Sequence, residues 1–171
     1  MAIVIERMSL NNIEDIYNFE VKNKTFFEKG LPPRPEGYFE FCSFKMMMLE
    51  ILEEQSDGTC HMHLIRDSEG KMIGRINLYS VSKGKVIEAE LGYRIGEKEQ
   101  GKGYASESVK LILQEAFNVY GLTCIKAGTS TENIGSQKVL EKNGFKRVGE
   151  EKKVMKVNGK WVDGLLFKKM I

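Results

Sequence analysis

A chain of 171 residues is the size of one ordinary domain, and 42% hydrophobic with 29% charged residues excludes disordered, collagen-like and low-complexity classes. With 26 Lys and Arg against 24 Asp and Glu the formal charge is +2, so nothing draws the chain as a whole to nucleic acid or anionic lipid. No apolar run approaches the roughly 20 residues that span a bilayer, and the mixed N-terminus does not read as a signal peptide, so no membrane partner is expected.

In chain order, Ile3 to Glu6 reads as a short apolar strand. Ser9, Asn11 and Asn12 can accept backbone N–H groups, and Glu14 follows three after Asn11, which marks a helix start. Ile13, Ile16, Tyr17 and Val21 then share one helical face. Leu31-Pro32-Pro33-Arg34-Pro35 contains all three prolines and predicts a loop. Glu36 to Gln55 predicts a second helix whose bulk is Phe41, Phe44, Met47, Met48 and Ile51. From Ser56 the period changes from 3.6 to 2, and Cys60–Arg66, Met72–Val81 and Val86–Ile95 become strands. The short turns Asp67–Gly70 and Ser82–Lys85 make these three antiparallel neighbours.

After Gly103 the helical period returns through Ala105, Val109, Ile112, Ala116, Phe117 and Tyr120, with Gly121 as the stop. Leu122–Thr129 is a strand, Ile134–Lys142 a short helix, and Phe145–Val157 with Lys160–Met170 a hairpin closed by Asn158-Gly159. The order β-α-α-β-β-β-α-β-α-β-β, without repeat or linker, predicts a single α/β domain over residues 1–171. Its sheet is mixed, mostly antiparallel and seven-stranded, with helices on both faces.

The chemistry concentrates in one stretch, Leu91-Gly92-Tyr93-Arg94-Ile95-Gly96-Glu97-Lys98-Glu99-Gln100-Gly101-Lys102-Gly103-Tyr104-Ala105. A strand runs into a glycine-bearing loop that opens directly into a helix, and helix N-termini offer unpaired N–H groups to phosphates. Glycine at 101 and 103 allows close approach and positive φ. The P-loop pattern is absent, and a dinucleotide fingerprint would carry Ser106 at its third glycine and lack further βαβ units. A plain glycine connection without ligand is the remaining alternative on residue grounds.

Gln100-Gly101-Lys102-Gly103-Tyr104-Ala105 resembles the Q/R-x-x-G-x-G/A signature of the GNAT superfamily of acyl-CoA-dependent N-acetyltransferases. Asn133-Ile134-Gly135-Ser136 and Leu140-Glu141-Lys142-Asn143-Gly144-Phe145 resemble its second signature, and Glu90-Leu91-Gly92-Tyr93 is similar to the ribosomal-protein-alanine (RimJ/RimL-type) group. The motifs cover Val86 to Ile171 closely and stand in the family's order.

The resemblance implies acetyl-CoA as co-substrate, no metal, and an acceptor amine that attacks directly. Its pyrophosphate would be gripped by Gln100, Gly101, Lys102, Gly103, Tyr104 and Ala105. The thioester carbonyl would meet backbone N–H groups of Gly92, Tyr93 and Arg94, and the pantetheine arm would pair with the strand edge that ends at Ile95. Gly92 suits a bulge there.

Along Val86–Ile95, alternation sends Ile87, Ala89, Leu91, Tyr93 and Ile95 to the core, and Glu88, Glu90, Gly92 and Arg94 to the other face. The resemblance implies a carboxylate at Glu90, assigned here as general base; desolvation and neighbouring Glu88 would raise its pKa. A solvated strand face is the alternative for both. Many superfamily members place a tyrosine acid seven residues after the asparagine, where this chain has Leu140. Ser136, one turn earlier, is assigned to stabilise the thiolate, or else is a small packing residue. Asn133 would bond pantetheine amides or simply cap its helix.

His61 and His63 alternate on one strand face, without a further ligand, and so line a cleft or pack. Cys42, Cys60 and Cys124, odd in number and far apart, suit packing in a reducing cytoplasm. The basic tail from Lys142 to Ile171 reads as a solvated face, with a ribosome-binding protein as a weak rival reading. The implied acceptor is a protein N-terminal amine. A small amine (polyamine, amino acid or antibiotic) and a non-catalytic acyl-CoA-binding regulatory module are the rivals, and a homodimer is compatible with the sequence. Acceptor choice is expected to lie in Phe26–Gln55.

Overall fold

The computed structural model describes residues 2–170. Strand β1 (Ile3–Arg7) is followed by a 3-10 turn and helices α1 (Ile13–Glu28) and α2 (Phe41–Ser56). Strands β2 (His61–Asp67), β3 (Met72–Lys83) and β4 (Ile87–Ile95) lead into helix α3 (Tyr104–Asn118). Strand β5 (Cys124–Ser130), helix α4 (Ile134–Lys142), and strands β6 (Lys146–Val157) and β7 (Lys160–Met170) complete the chain. The seven strands form one sheet in the order β1-β2-β3-β4-β5-β7-β6. Among the described residues only β4 and β5 run parallel, because α3 carries the chain back between them; every other neighbouring pair is antiparallel.

Each sheet face is covered by a pair of helices, which places polar side chains with precision. Register aligns His63 with Ile76 and Tyr93, and these residues face α3 and α4 over Ile65, Leu78, Leu91, Val109, Ile112, Ile125, Leu140 and Phe167. The opposite face carries Leu64 beneath α1 and α2, with Ile13, Ile16, Phe44 and Met48. β4 alternates as its sequence predicts: Ala89, Leu91 and Ile95 are buried on the α3 side.

Four expectations need correction. The second helix begins at Phe41, not Glu36, because Gly37 takes φ +78° and the chain turns twice through Tyr38 N–H to Pro35 and Glu40 N–H to Gly37. Phe41 is 41% exposed, so it does not belong to the bulk that α2 buries. Val21 is 45% exposed; the buried face of α1 runs Ile13, Ile16, Phe19, Glu20, Asn23 and Phe27. Finally, Gly92 pairs regularly with Asn77 and makes no bulge. The irregularity lies on β3 between Tyr79 and Ser82, where Ser80 takes φ +51°.

Candidate active site

The parallel β4–β5 ladder runs from Glu88 opposite Cys124 to Leu91 opposite Ala127 and stops there. Beyond it Gly92–Ile95 pair only with β3, and Gly128–Ser130 only with β7, so the two strands part into a wedge. Gly96 donates its N–H to Ile73 on β3, while Ile87 accepts from Thr123 on the β5 side. Peptide groups alternate along a strand, so Tyr93 aims its N–H and C=O into the wedge. Such an opening at the carboxyl ends of parallel strands is where open α/β sheets take ligands.

The wedge meets the loop before α3. Gly101 and Gly103 take φ +73° and +82°, conformations that cost other residues about 1–2 kcal/mol. The first helical bond is Glu107 N–H to Gly103, and among the described residues none of the N–H groups of Gly101–Ser106 has a backbone acceptor. This row of free donors at a helix start suits a pyrophosphate. Gln100 turns its side chain back, donating to the Ile95 carbonyl at 2.7 Å, which ties the loop to the strand end. Lys102 reaches Glu99 at 2.7 Å, and bonds from Lys102 and Lys71 hold the Glu99 carboxyl down at about 2.

On the α3 and α4 side, the Tyr93 and Ser136 hydroxyls lie 2.9 Å apart. Burial raises the Tyr93 phenol above its ordinary value, against the pull of Ser136. Asn133 Oδ1 accepts the Ser136 N–H at 3.0 Å, so this side chain caps α4 through its oxygen. Leu140 is fully buried, and Asn143 clamps α4 onto the first turn of α3 through the Ser106 carbonyl and hydroxyl. Tyr104 and Ala105 open α3, partly buried against the core.

On the α1 and α2 side, Glu90 is exposed and pairs across the ladder with Tyr79. Burial and the Glu90 carboxylate push the Tyr79 phenol up to about 12. A Cβ on Gly92 would sit 3.2 Å from the Tyr79 ring, so glycine here lets that ring lie across the strand. Glu88 is bonded to Lys126 at 2.7 Å, which offsets the charge it was expected to lend Glu90.

Sequence reasoning missed the cluster beside these groups. Glu20, 1% exposed, accepts from Arg75 at 2.8 Å and from Arg34 at 2.7 Å, and Arg75 also donates to Tyr38 at 3.1 Å. Burial alone would raise the Glu20 carboxyl; Arg75 and Arg34 outweigh it, and the group lies below its ordinary value. The signal was a charged residue on the apolar stripe of α1, visible once Val21 is taken off that face. Tyr17 donates to the Phe39 carbonyl at 2.8 Å, and Asn158 at the hairpin tip donates to Lys29 at 3.2 Å. The segment between α1 and α2 is thereby tied to α1 and to the tip of the β6–β7 hairpin.

His61 and His63 do not line this cleft. They lie on the α3 face, where His61 stacks on Tyr120 at 3.6 Å and His63 Nε2 is 2.9 Å from the Tyr120 hydroxyl. Cys60 faces the other way, its thiol directed at the Ile51 carbonyl. Among the described residues no cluster of three His, Cys, Asp or Glu could hold a metal, and no helix is long and apolar enough to cross a membrane.

A parallel pair opening beside a glycine-bearing helix start is, within an α/β sheet, a geometry that suits a phosphate-bearing ligand. The chain belongs to the acetyltransferase (GNAT) domain family, whose pattern matches residues 3–146, and is an N-acetyltransferase of that type. It is 30% identical over 163 residues to the probable N-acetyltransferase YjcK of Bacillus subtilis (strain 168), covering 95% of this chain and 90% of that protein. The crystal structure of ribosomal-protein-S5-alanine acetyltransferase from Vibrio fischeri superposes with a TM-score of 0.93 at 24% identity, covering 99% of this chain and 93% of that one. Mycobacterium smegmatis RimJ in complex with CoA-disulfide superposes with a TM-score of 0.89 at 21% identity, covering 98% and 81%.

Proposed function

We propose that residues 1–171 act as one acetyl-CoA-dependent N-acetyltransferase domain that acetylates a primary amine by direct attack, with a protein N-terminal α-amine as the leading acceptor. The observation that carries this reading is the β4–β5 wedge beside the free N–H row of Gly101–Ser106. Acetyl-CoA supplies an activated acetyl group and a thiolate leaving group. The peptide groups from Gly92 to Arg94 lie along the wedge, where an N–H such as that of Tyr93 polarises a thioester carbonyl. Gln100, Gly101, Lys102, Gly103, Tyr104 and Ala105 hold the pyrophosphate, and Asn133 Nδ2 is left to bond the pantetheine arm beside Ile95.

The two proton tasks fall on opposite faces of the sheet. Glu90, on the α1 and α2 side, removes the amine proton, directly or through water. Ser136, on the α3 and α4 side, donates to the departing sulfur while Tyr93 donates to Ser136, so the charge that develops is met by an oriented pair. Likeness to the Vibrio fischeri ribosomal-protein-S5-alanine acetyltransferase supports a protein residue as acceptor.

Acetyl-CoA-dependent release of free CoA, measured against peptide N-termini, polyamines, amino acids and aminoglycosides, tests the reading. Release with one acceptor class, reduced about 100-fold or more in Glu90→Gln, supports it. Acetyl-CoA binding without release from any amine favours the non-catalytic regulatory module, and absence of acyl-CoA binding overturns the proposal.

A further inference from the structure

Resting on that reading, we propose that Arg94 and Arg34 form an anion-recognition subsite, selecting acceptors that carry a carboxylate or phosphate a short distance from the reacting amine. Glu20 is already paired with Arg75 and Arg34 through hydrogen bonds. Arg94 is a surplus cation. Its nearest Nη atom is 3.8 Å from Glu20 without a hydrogen bond, and none of its five N–H donors has an acceptor among the described residues. Its side chain is nevertheless only 17% exposed and lies 5.1 Å over the Phe27 ring. Its nitrogens are not sealed from water, so an anion arriving at this surface exchanges water for charge-assisted hydrogen bonds without disturbing an existing pair.

The surroundings point the same way. Arg94 and Arg34 line a narrow, solvent-open notch of about 10 Å³, room for a single water-sized group, with Lys24, Phe27, Phe39 and two carboxylates, Glu20 and Glu28. With Arg75 beneath it the cleft holds four cations against two anions. Burial and the neighbouring Arg34 bring the Arg94 guanidinium down to about 10, as expected for an under-compensated cation. The cleft also sits where an acceptor must lie. Arg94 is the next residue after Tyr93 and shares a face with Gly92 and Glu90, about 13 Å from Glu90 along the strand. An amine held between them over Gly92 lies on the order of 7 Å from each. That span fits an α-amine and an acidic side chain on the first or second residue of a peptide. A polyamine would bring further cations to a site already in cationic excess.

The test compares acceptor pairs that share one amine: peptides beginning Ala-Asp against Ala-Asn, and Ala-phosphoserine against Ala-Ser. Wild-type protein should favour the anionic member roughly ten- to hundredfold in kcat/KM, chiefly through KM. Arg94→Gln should bring the ratio near one, Arg94→Lys should restore part of it, and Arg34→Gln, which also loosens the loop from Glu20, should lower it as well. The two pairs distinguish carboxylate from phosphate as the preferred group. Equal rates within both pairs, or a preference untouched by Arg94→Gln and Arg34→Gln, overturn the subsite while leaving acetyl transfer intact. If no acceptor is acetylated, the acetyl-transfer reading fails separately. The subsite is then decided by calorimetric binding of N-acetylated Ala-Asp and Ala-Asn peptides in the presence of CoA. Preferential binding of the acidic peptide, lost in Arg94→Gln, upholds it, and equal affinity overturns it.

Discussion

Acidification should destabilise this fold in the range where its carboxylates are still ionised, and His63 is the main cause. The side chain is 3% exposed, its Nε2 faces the Tyr120 hydroxyl at 2.9 Å, and its Nδ1 is buried without a partner. Protonation would place a second N–H and a charge in the core, next to His61 and within the field of Arg7, and the nearby backbone groups of His61 and Ile76 only partly offset that cost. Burial, then His61, pushes the His63 imidazole down from 6.5 to about 4. His61 is lowered as well, by burial, Arg7 and Lys83. A histidine depressed in the folded chain gives stability that is complete above the unfolded value of 6.5 and lost as pH falls toward 4. The difference between 6.5 and about 4 corresponds to about 3 kcal/mol, of which about 2 kcal/mol is lost by pH 5. For a domain of this length that lowers Tm by about 4–8 °C. Thermal melts of wild type and His63→Gln at pH 7.5 and pH 5 check it, since glutamine keeps a partner for Tyr120 but cannot titrate. The variant should lose most of the pH dependence whatever its own stability at pH 7.5. An equal fall in both proteins, or a wild type more stable at pH 5, refutes the reasoning.

Other substitutions separate structural from chemical roles. Glu20→Gln leaves Arg75 buried without its counter-charge and should cost about 3–5 kcal/mol in denaturant unfolding, whereas removing Arg94, which has no hydrogen bond to Glu20, should cost far less. Ser136→Ala should lower kcat about tenfold or more with little change in acetyl-CoA KM. Tyr93→Phe should do so less severely, because Ser136 keeps its own donor. Gly103→Val forces a β-branched residue to φ +82°; it should raise acetyl-CoA KM strongly and destabilise the loop by about 1–2 kcal/mol.

The elements were legible wherever one period held. Helix α4 matches its predicted bounds, and the Asn158-Gly159 turn takes φ +48° and +76°, as a two-residue hairpin demands. The N-terminus of α2 was not legible, since residues 36–40 lack helix breakers apart from Gly37 and only local turn bonds reveal that the helix starts late. Val21 was misplaced because an apolar residue at i+8 fits a helical stripe as well as Glu20 contradicts it. Tertiary pairing with Arg75, 55 residues away, decides which one is buried. The wedge itself is a place where pairing stops, and a missing ladder leaves no mark on hydrophobic alternation.

The donor side and the acceptor side differed in legibility for a physical reason. A pyrophosphate is met by consecutive backbone N–H groups, so its site is written in contiguous residues whose main requirement is glycine at 101 and 103. The proposed acceptor subsite is assembled from side chains on α1, the loop after it, β3 and β4: sheet register sets Arg75 beside Arg94, and the packing of α1 and its loop adds Glu20 and Arg34. Those four positions are not equivalent. Arg75 and Arg34 neutralise a buried carboxylate, and Arg34 also ties the loop to α1, so changing either unsettles the cleft wall as well as its charge. Arg94 makes only a longer ion pair with Glu20 at 3.8 Å and no side-chain hydrogen bond among the described residues, so its side chain is the least committed of the four. On the proposed reading, a substitution at position 94 should therefore shift acceptor preference with less loss of stability than one at Arg75 or Arg34, which denaturant unfolding of the three Gln variants checks.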